Sequence, residues 1–187
     1  MKIKASILKM VIGVIVFAAF LAPTKALETA IEHSSPFRLS GDGRLALIDM
    51  HTGERLSIIY RSADGRYDDV ALSAIDNVLR CHGKSEKYPI SQKLVELVDY
   101  LEDSFGAKEV RVVSGYRSPE YNENLRRQIS RVAHDSLHMQ GLAMDIQLEG
   151  ISKEKLGKLA RALRSGGVGV YSSSDYVHVD AGPIRDW

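Results

Sequence analysis

The stretch SLHMQGLAMDIQL, Ser136 to Leu148, sets an imidazole and a carboxylate seven positions apart across a glycine. From Leu142 onward it alternates. Met144, Ile146 and Leu148 fall on one face of a strand, and Ala143, Asp145 and Gln147 on the other. Gly141 lets the chain turn between His138 and that strand. The apolar face belongs to a core, so Asp145 faces the other way, on the side that can wall a site.

A second segment, Asp175-Tyr-Val-His-Val-Asp180, alternates in the same manner. Val177 and Val179 point to one side, and Tyr176, His178 and Asp180 to the other, so His178 can share a cleft with Asp145. Two neutral imidazoles and one carboxylate are the donor set of a catalytic zinc centre, which keeps one coordination position for water. His138, Asp145 and His178 are therefore the candidate ligands of one zinc ion per chain. Asp175 stands three residues before His178, at the strand entrance, where a carboxylate lies beside a metal rather than on it. Asp180 is a candidate for the carboxylate that orients His178 from behind.

A competing metal reading uses His134-Asp-Ser-Leu-His138, which looks like an H-E-x-x-H helix with aspartate in place of glutamate. That motif needs a sustained helix and an acid long enough to reach the metal-bound water. Neither is present, so His134 reads as a loop residue near the site.

Outward from these segments the chain alternates short strands and helices. Arg111 to Val113 reads as a strand running into Ser114-Gly-Tyr-Arg117-Ser-Pro119, whose glycine and proline force a turn that projects Arg117. Taken alone, Arg117 would be an ordinary surface arginine. A short helix over Tyr121 to Arg127 and a polar loop over 128–135 follow. Upstream, Leu45 to Met50 and Arg55 to Tyr60 flank His51-Thr-Gly-Glu54 as a β-hairpin, with His51 as a polar turn residue. Leu72, Ile75 and Leu79 predict a helix ending near His82-Gly83. A second helix has Ser91 as its cap, a stripe of Leu94, Leu97, Val98 and Leu101, and Gly106 at its end. Downstream, Ser152 opens a helix with Leu156, Leu159, Ala160 and Leu163 in its stripe, and Gly166-Gly167 stops it. Val168 to Tyr171 is a further strand. Cys81 is the only cysteine, so no internal disulfide forms, and it reads as a packing residue.

The N-terminus bears on location. Lys2, Lys4 and Lys9 precede an apolar run from Met10 to Ala22, and Thr24-Lys-Ala26 offers small residues at cleavage spacing. Thirteen apolar residues fall short of the roughly 20 that span a bilayer, so residues 1–26 read as a signal peptide and not as a permanent membrane anchor. The remaining 161 residues, 27–187, form one expected catalytic domain. Removal of residues 1–26 takes four lysines and no acids from a formal charge of +1, leaving −3. A mildly acidic chain argues against a nucleic-acid partner held by bulk charge.

Together, Ser136-x-His138-x-x-Gly141-x-Ala143-x-Asp145, the preceding Ser114-Gly-Tyr-Arg117 and the following Asp175-x-x-His178 resemble the zinc D-Ala-D-Ala carboxypeptidase and VanX-type dipeptidase group. Within this group of LAS-type metallopeptidases the nearer resemblance is to MepK-like periplasmic murein endopeptidases. It runs from the Leu45 to Tyr60 hairpin through Gly166-Gly-Val-Gly169 to Val177-His-Val-Asp-Ala-Gly-Pro183 and Trp187. The resemblance implies a compact α/β (α+β) domain with a small, mainly antiparallel sheet flanked by helices, holding one zinc between His138, Asp145 and His178. It also implies Asp175 as the base where many members have glutamate, Arg117 aimed at the substrate carbonyl or nearby carboxylate charge, and Ser136 as a substrate contact. Tyr176 replaces a histidine that many relatives carry.

The expected activity is hydrolysis of peptide cross-links in peptidoglycan by an exported, periplasmic enzyme. Two other readings stay open: a D,D- or L,D-carboxypeptidase or dipeptidase that trims stem peptides, and a non-catalytic zinc-containing domain that binds cell-wall peptides.

Overall fold

Alternation near the start of the domain produces the expected hairpin: β1 (Arg44–Asp49) and β2 (Arg55–Ile59) pair antiparallel, with Ala46 opposite Ser57. This is a computed structural model, and it describes residues 39–83, 85–130 and 132–187. The signal segment expected at 1–26 lies outside the described residues. After the hairpin come α1 (Asp69–Val78), α2 (Gln92–Phe105), β3 (Val110–Ser114) and α3 (Pro119–Gln128). A 3₁₀ turn (Leu137–Gln140), β4 (Ala143–Leu148), α4 (Lys153–Leu163), β5 (Gly167–Val170), β6 (Val177–Asp180) and β7 (Arg185–Asp186) complete the chain.

The strands form one mixed sheet in the order β2-β1-β3-β4-β6-β5-β7. Only β1 with β3 and β5 with β7 run parallel, so the sheet is mainly antiparallel, as expected of an α+β fold. One face carries Leu45, Leu47, Val110, Val112, Met144, Ile146, Val177 and Val179, which share a single core with Ile75 of α1, Leu94 and Leu101 of α2 and Leu156 of α4. The other face of the central strands is left for polar side chains. Among the described residues no helix is long and apolar enough to cross a membrane.

Local chemistry explains most boundaries, with several differences from the sequence reading: α1, for one, ends at Val78, short of the expected His82-Gly83. Ser91 occupies the cap position of α2 but makes no side-chain capping bond. Ser118 does cap α3, accepting from Tyr121 N, and Pro119 begins that helix rather than only forcing a turn, because its missing N–H costs nothing in the first turn. Helix α4 ends on Arg164, in the left-handed region at φ 50°, before the two glycines are reached. Gly166 and Gly167 serve close approach instead: a Cβ on either would collide with Asp180. Strand β7, too short to show periodicity, has no counterpart in the expectation.

Helix α2 also buries more than its apolar stripe. Glu96 and Asp99 are 0% exposed, because residues on both sides of the hairpin cover this part of the helix. Glu96 accepts from Arg61 Nε at 2.7 Å and from the Tyr67 hydroxyl at 2.8 Å. Asp99 accepts from the Tyr60 hydroxyl at 2.6 Å and from Gly43 N at 3.0 Å. Breaking a buried pair strands its partner's charge, at a typical cost of about 3–5 kcal/mol. Glu96→Ala is therefore expected to lower the unfolding free energy by that amount in urea titrations. A loss under ~1 kcal/mol would show that Arg61 finds solvent when unpaired.

Candidate metal centre

Three strands carry the site in a row. Asp145 on β4 lies opposite His178 on β6 and opposite Ser114 on β3. The last pairing depends on a register shift between Val112 and Ser114. Val110 and Val112 face the core, so regular alternation would send Ser114 there too; the bulge turns it to the polar face. His138 comes from the 3₁₀ turn before β4, which ends on Gly141 at φ 65°. No larger residue fits there, since a Cβ would meet the Pro89 carbonyl oxygen.

The three side chains converge. Asp145 Oδ1 is 3.0 Å from His178 Nδ1 and 3.4 Å from His138 Nε2, and the two nitrogens are 3.2 Å apart. His138 is 2% exposed, Asp145 3% and His178 8%. Each has its remaining polar atom occupied from behind. His138 Nδ1 lies 2.8 Å from the Gly115 carbonyl oxygen, to which it donates, so Nε2 keeps a free lone pair toward the centre. His178 Nε2 lies 3.3 Å from Asp180 Oδ2, the geometry in which an imidazole donates to a carboxylate and turns Nδ1 forward. Asp145 Oδ2 accepts from Arg117 at 2.5 Å, which leaves Oδ1 for the histidines. Among the described residues, this group and Asp42, Asp99 and Asp103 are the clusters whose donor atoms lie close enough to hold a metal ion.

Electrostatics act differently on the three side chains. Burial pushes Asp145 up, but the histidines and Arg117 outweigh it and hold the carboxyl well below the usual range. Burial lowers His138 further than Asp145 raises it, so its net shift is downward. His178 is pulled down by burial and back above its ordinary value by Asp145 and Asp180. Burial also raises Asp180, yet His178, the Gly167 and Gly182 N–H groups and Arg185 bring it below the usual value.

The centre opens on a cleft of about 430 Å³. Arg117 lines it, donating from Nε to Ser114 Oγ at 2.8 Å, with its side chain 13% exposed. Ser136, 7% exposed, also lines the cleft. Asp175 does not: it is exposed on the loop before β6, while Tyr171 and Tyr176 on either side of it do line the cleft. That loop is clasped by Lys153, whose ammonium donates to the carbonyls of Tyr171 at 2.7 Å and Ser174 at 2.6 Å. His134 is exposed and pairs with Asp135 at 2.8 Å, outside any helix. Among the lining residues to which the sequence reading assigns no site role are His51, which bonds the Val113 carbonyl at 2.9 Å, and the C-terminal Arg185 and Trp187. Their place depends on contacts between distant segments.

A buried His-Asp-His group at the floor of a cleft on an α+β sheet is the arrangement of a metal-dependent hydrolase. Residues 40–187 match the family described as peptidoglycan L,D-endopeptidase MepK, and the chain belongs to that family. It is 35% identical over 178 residues to the peptidoglycan L,D-endopeptidase MepK of Escherichia coli (strain K12), covering 94% of this chain and 93% of that one. A probable peptidoglycan L,D-endopeptidase MepK from Haemophilus influenzae is 34% identical over 145 residues, covering 76% and 77% of the two chains.

Proposed function

We propose that this chain is a zinc-dependent murein endopeptidase that hydrolyses peptide cross-links in peptidoglycan during wall remodelling. The observation that carries the reading is the triangle formed by His138 Nε2, Asp145 Oδ1 and His178 Nδ1, in a chain of the MepK family. Zinc held tetrahedrally at roughly 2.1 Å from each donor requires donors about 3.4 Å apart. Separations of 3.0, 3.2 and 3.4 Å fit one such ion with little adjustment. Three protein ligands leave a position open, which suits a catalytic and not a structural zinc. We assign residues 1–26 as a signal peptide and 27–187 as the catalytic domain, which puts the enzyme in the periplasm, where its substrate is.

Zinc bound by these residues supplies a Lewis acid and makes hydroxide available near neutral pH. The protein's own groups do the rest. Asp180 and the Gly115 carbonyl hold the two imidazoles in the tautomers that present lone pairs. Arg117, fixed by Ser114 and Asp145, offers positive charge where the carbonyl oxygen of the scissile amide becomes negative. Ser136 contacts the peptide from the cleft wall. Asp175 is exposed and does not line the cleft, so its role requires the loop before β6 to bring it inward; there it takes the proton of the attacking water and passes it to the leaving amine.

Purified sacculi digested with zinc-loaded protein are expected to lose cross-linked muropeptide dimers, as read by chromatography. Persistence of dimers beside a working control enzyme would refute the reading, and release of terminal D-Ala alone would make the protein a carboxypeptidase. In the same assay Asp175→Ala is expected to slow dimer cleavage by about 10²–10⁴ with zinc content unchanged. An undiminished rate would remove Asp175 from the reaction.

A further inference from the structure

The cleft contains two arginines in different states. Arg117 is held by Ser114 and Asp145 beside the metal centre, in the place assigned above to the carbonyl oxygen. Arg185, on β7, has a side chain 42% exposed at the cleft edge. Its Nη2 donates to Asp180 Oδ2 at 2.8 Å, whereas Nη1 has only a long contact of 3.4 Å to the Pro183 carbonyl. The guanidinium carbon lies 5.2 Å from the centroid of the Trp187 ring. One edge of the fork is anchored, one face is supported by an aromatic ring, and the other edge is open to the cleft.

The support is itself held firmly. Trp187 N donates to the Val168 carbonyl at 3.2 Å, and its own carbonyl accepts from Val170 N at 3.0 Å and Arg161 at 3.0 Å. The indole N–H donates to the Tyr171 hydroxyl at 2.8 Å, and the ring centroid is 5.4 Å from that of His178. Gly169 makes room, because a Cβ there would come within 2.7 Å of the indole nitrogen. Asp180 Oδ2 links this wall to the metal centre, touching both Arg185 and His178 Nε2. A planar, pre-positioned guanidinium with a free edge is a carboxylate receptor.

We propose that Arg185, backed by Trp187, binds the free carboxylate of the substrate residue whose nitrogen belongs to the scissile amide. The proposal rests on the reading of the chain as a cross-link endopeptidase. A cross-link made on the amino group of an amino-acid centre leaves that centre's own carboxylate one carbon from the amide nitrogen. A peptide whose amide carbonyl lies at the centre thus carries an anion a few ångströms away, and with Arg117 assigned to the carbonyl oxygen, Arg185 is the other arginine lining the cleft.

The test uses two synthetic cross-link peptides, identical except that this carboxylate is free in one and a carboxamide in the other. Binding is read by stopped-flow quenching of Trp187, the only tryptophan in the chain, before turnover, and kcat/KM is measured separately. Zinc-loaded wild type is expected to favour the carboxylate peptide roughly tenfold or more in both readouts. Arg185→Gln is expected to bring that ratio below about threefold, and Arg185→Lys to restore part of it. An undiminished ratio in Arg185→Gln, equal weakening of both peptides, or no preference in wild type would each overturn the proposal. A wild type that prefers the carboxylate peptide in binding but cuts neither would refute the endopeptidase reading and leave this subsite standing.

Discussion

Asp145→Ala is expected to abolish both zinc retention and dimer cleavage. The carboxylate has three partners at once: Oδ1 faces His138 and His178, and Oδ2 holds Arg117. Its removal takes away the proposed anionic ligand and leaves a cationic side chain, mostly buried, beside two imidazoles. Losing a group that merely orients a ligand typically weakens metal binding by 10- to 100-fold. Losing a ligand whose position also sets the charge balance should exceed that, so zinc measured by mass spectrometry should fall from about one per chain toward zero after dialysis. The unpaired Arg117 adds a stability cost, which thermal melts without metal would register separately from the catalytic loss. A variant that keeps a full complement of zinc would place the ion elsewhere and end the ligand assignment.

Arg117→Gln separates charge stabilisation from metal binding. The glutamine can still hydrogen bond to Ser114 or Asp145, so the frame of the centre survives better than in a truncation. On the proposed mechanism, what is lost is the positive charge beside the oxygen that becomes negative in the transition state. Removal of one such donor costs about 10²–10³ in kcat, or about 3–4 kcal/mol. The expected result is a fall in kcat of that size with zinc content near one per chain and little change in KM. A fall in zinc content parallel to the fall in rate would mean that Arg117 acts only by holding Asp145. Arg117→Lys should recover little, since an ammonium cannot reach Ser114 and Asp145 in the same planar arrangement.

Both predictions concern residues whose spacing is readable in one dimension. Strand alternation puts Met144 and Ile146 on the opposite side from Asp145, and Val177 and Val179 on the opposite side from His178, and the folded chain has these faces. The hairpin, the stripe of α2 and the strand over 143–148 are legible for the same reason: each buries one periodic set of side chains. Where the burial is two-sided, periodicity misleads. Glu96 and Asp99 look like a solvated helix face and are instead enclosed, because covering them takes Tyr60, Arg61 and Gly43 from a distant segment.

The site divides along the same line. That Asp145 and His178 lie on one side of two strands, with His138 on the turn before the first of them, is a property of residue type, spacing and parity, which the sequence by itself determines. Their convergence to 3.0–3.4 Å is not. It requires the register that sets Asp145 opposite His178, and a backbone carbonyl at Gly115 to aim His138. The bulge that turns Ser114 toward Arg117, the exposure of Asp175 at the rim and the seating of Trp187 against His178 were decided only by tertiary structure. The physical reason is that parity follows from the chirality and pleat of a single strand, whereas register, loop position and the closing of a cleft are set by which surfaces the whole chain can bury together.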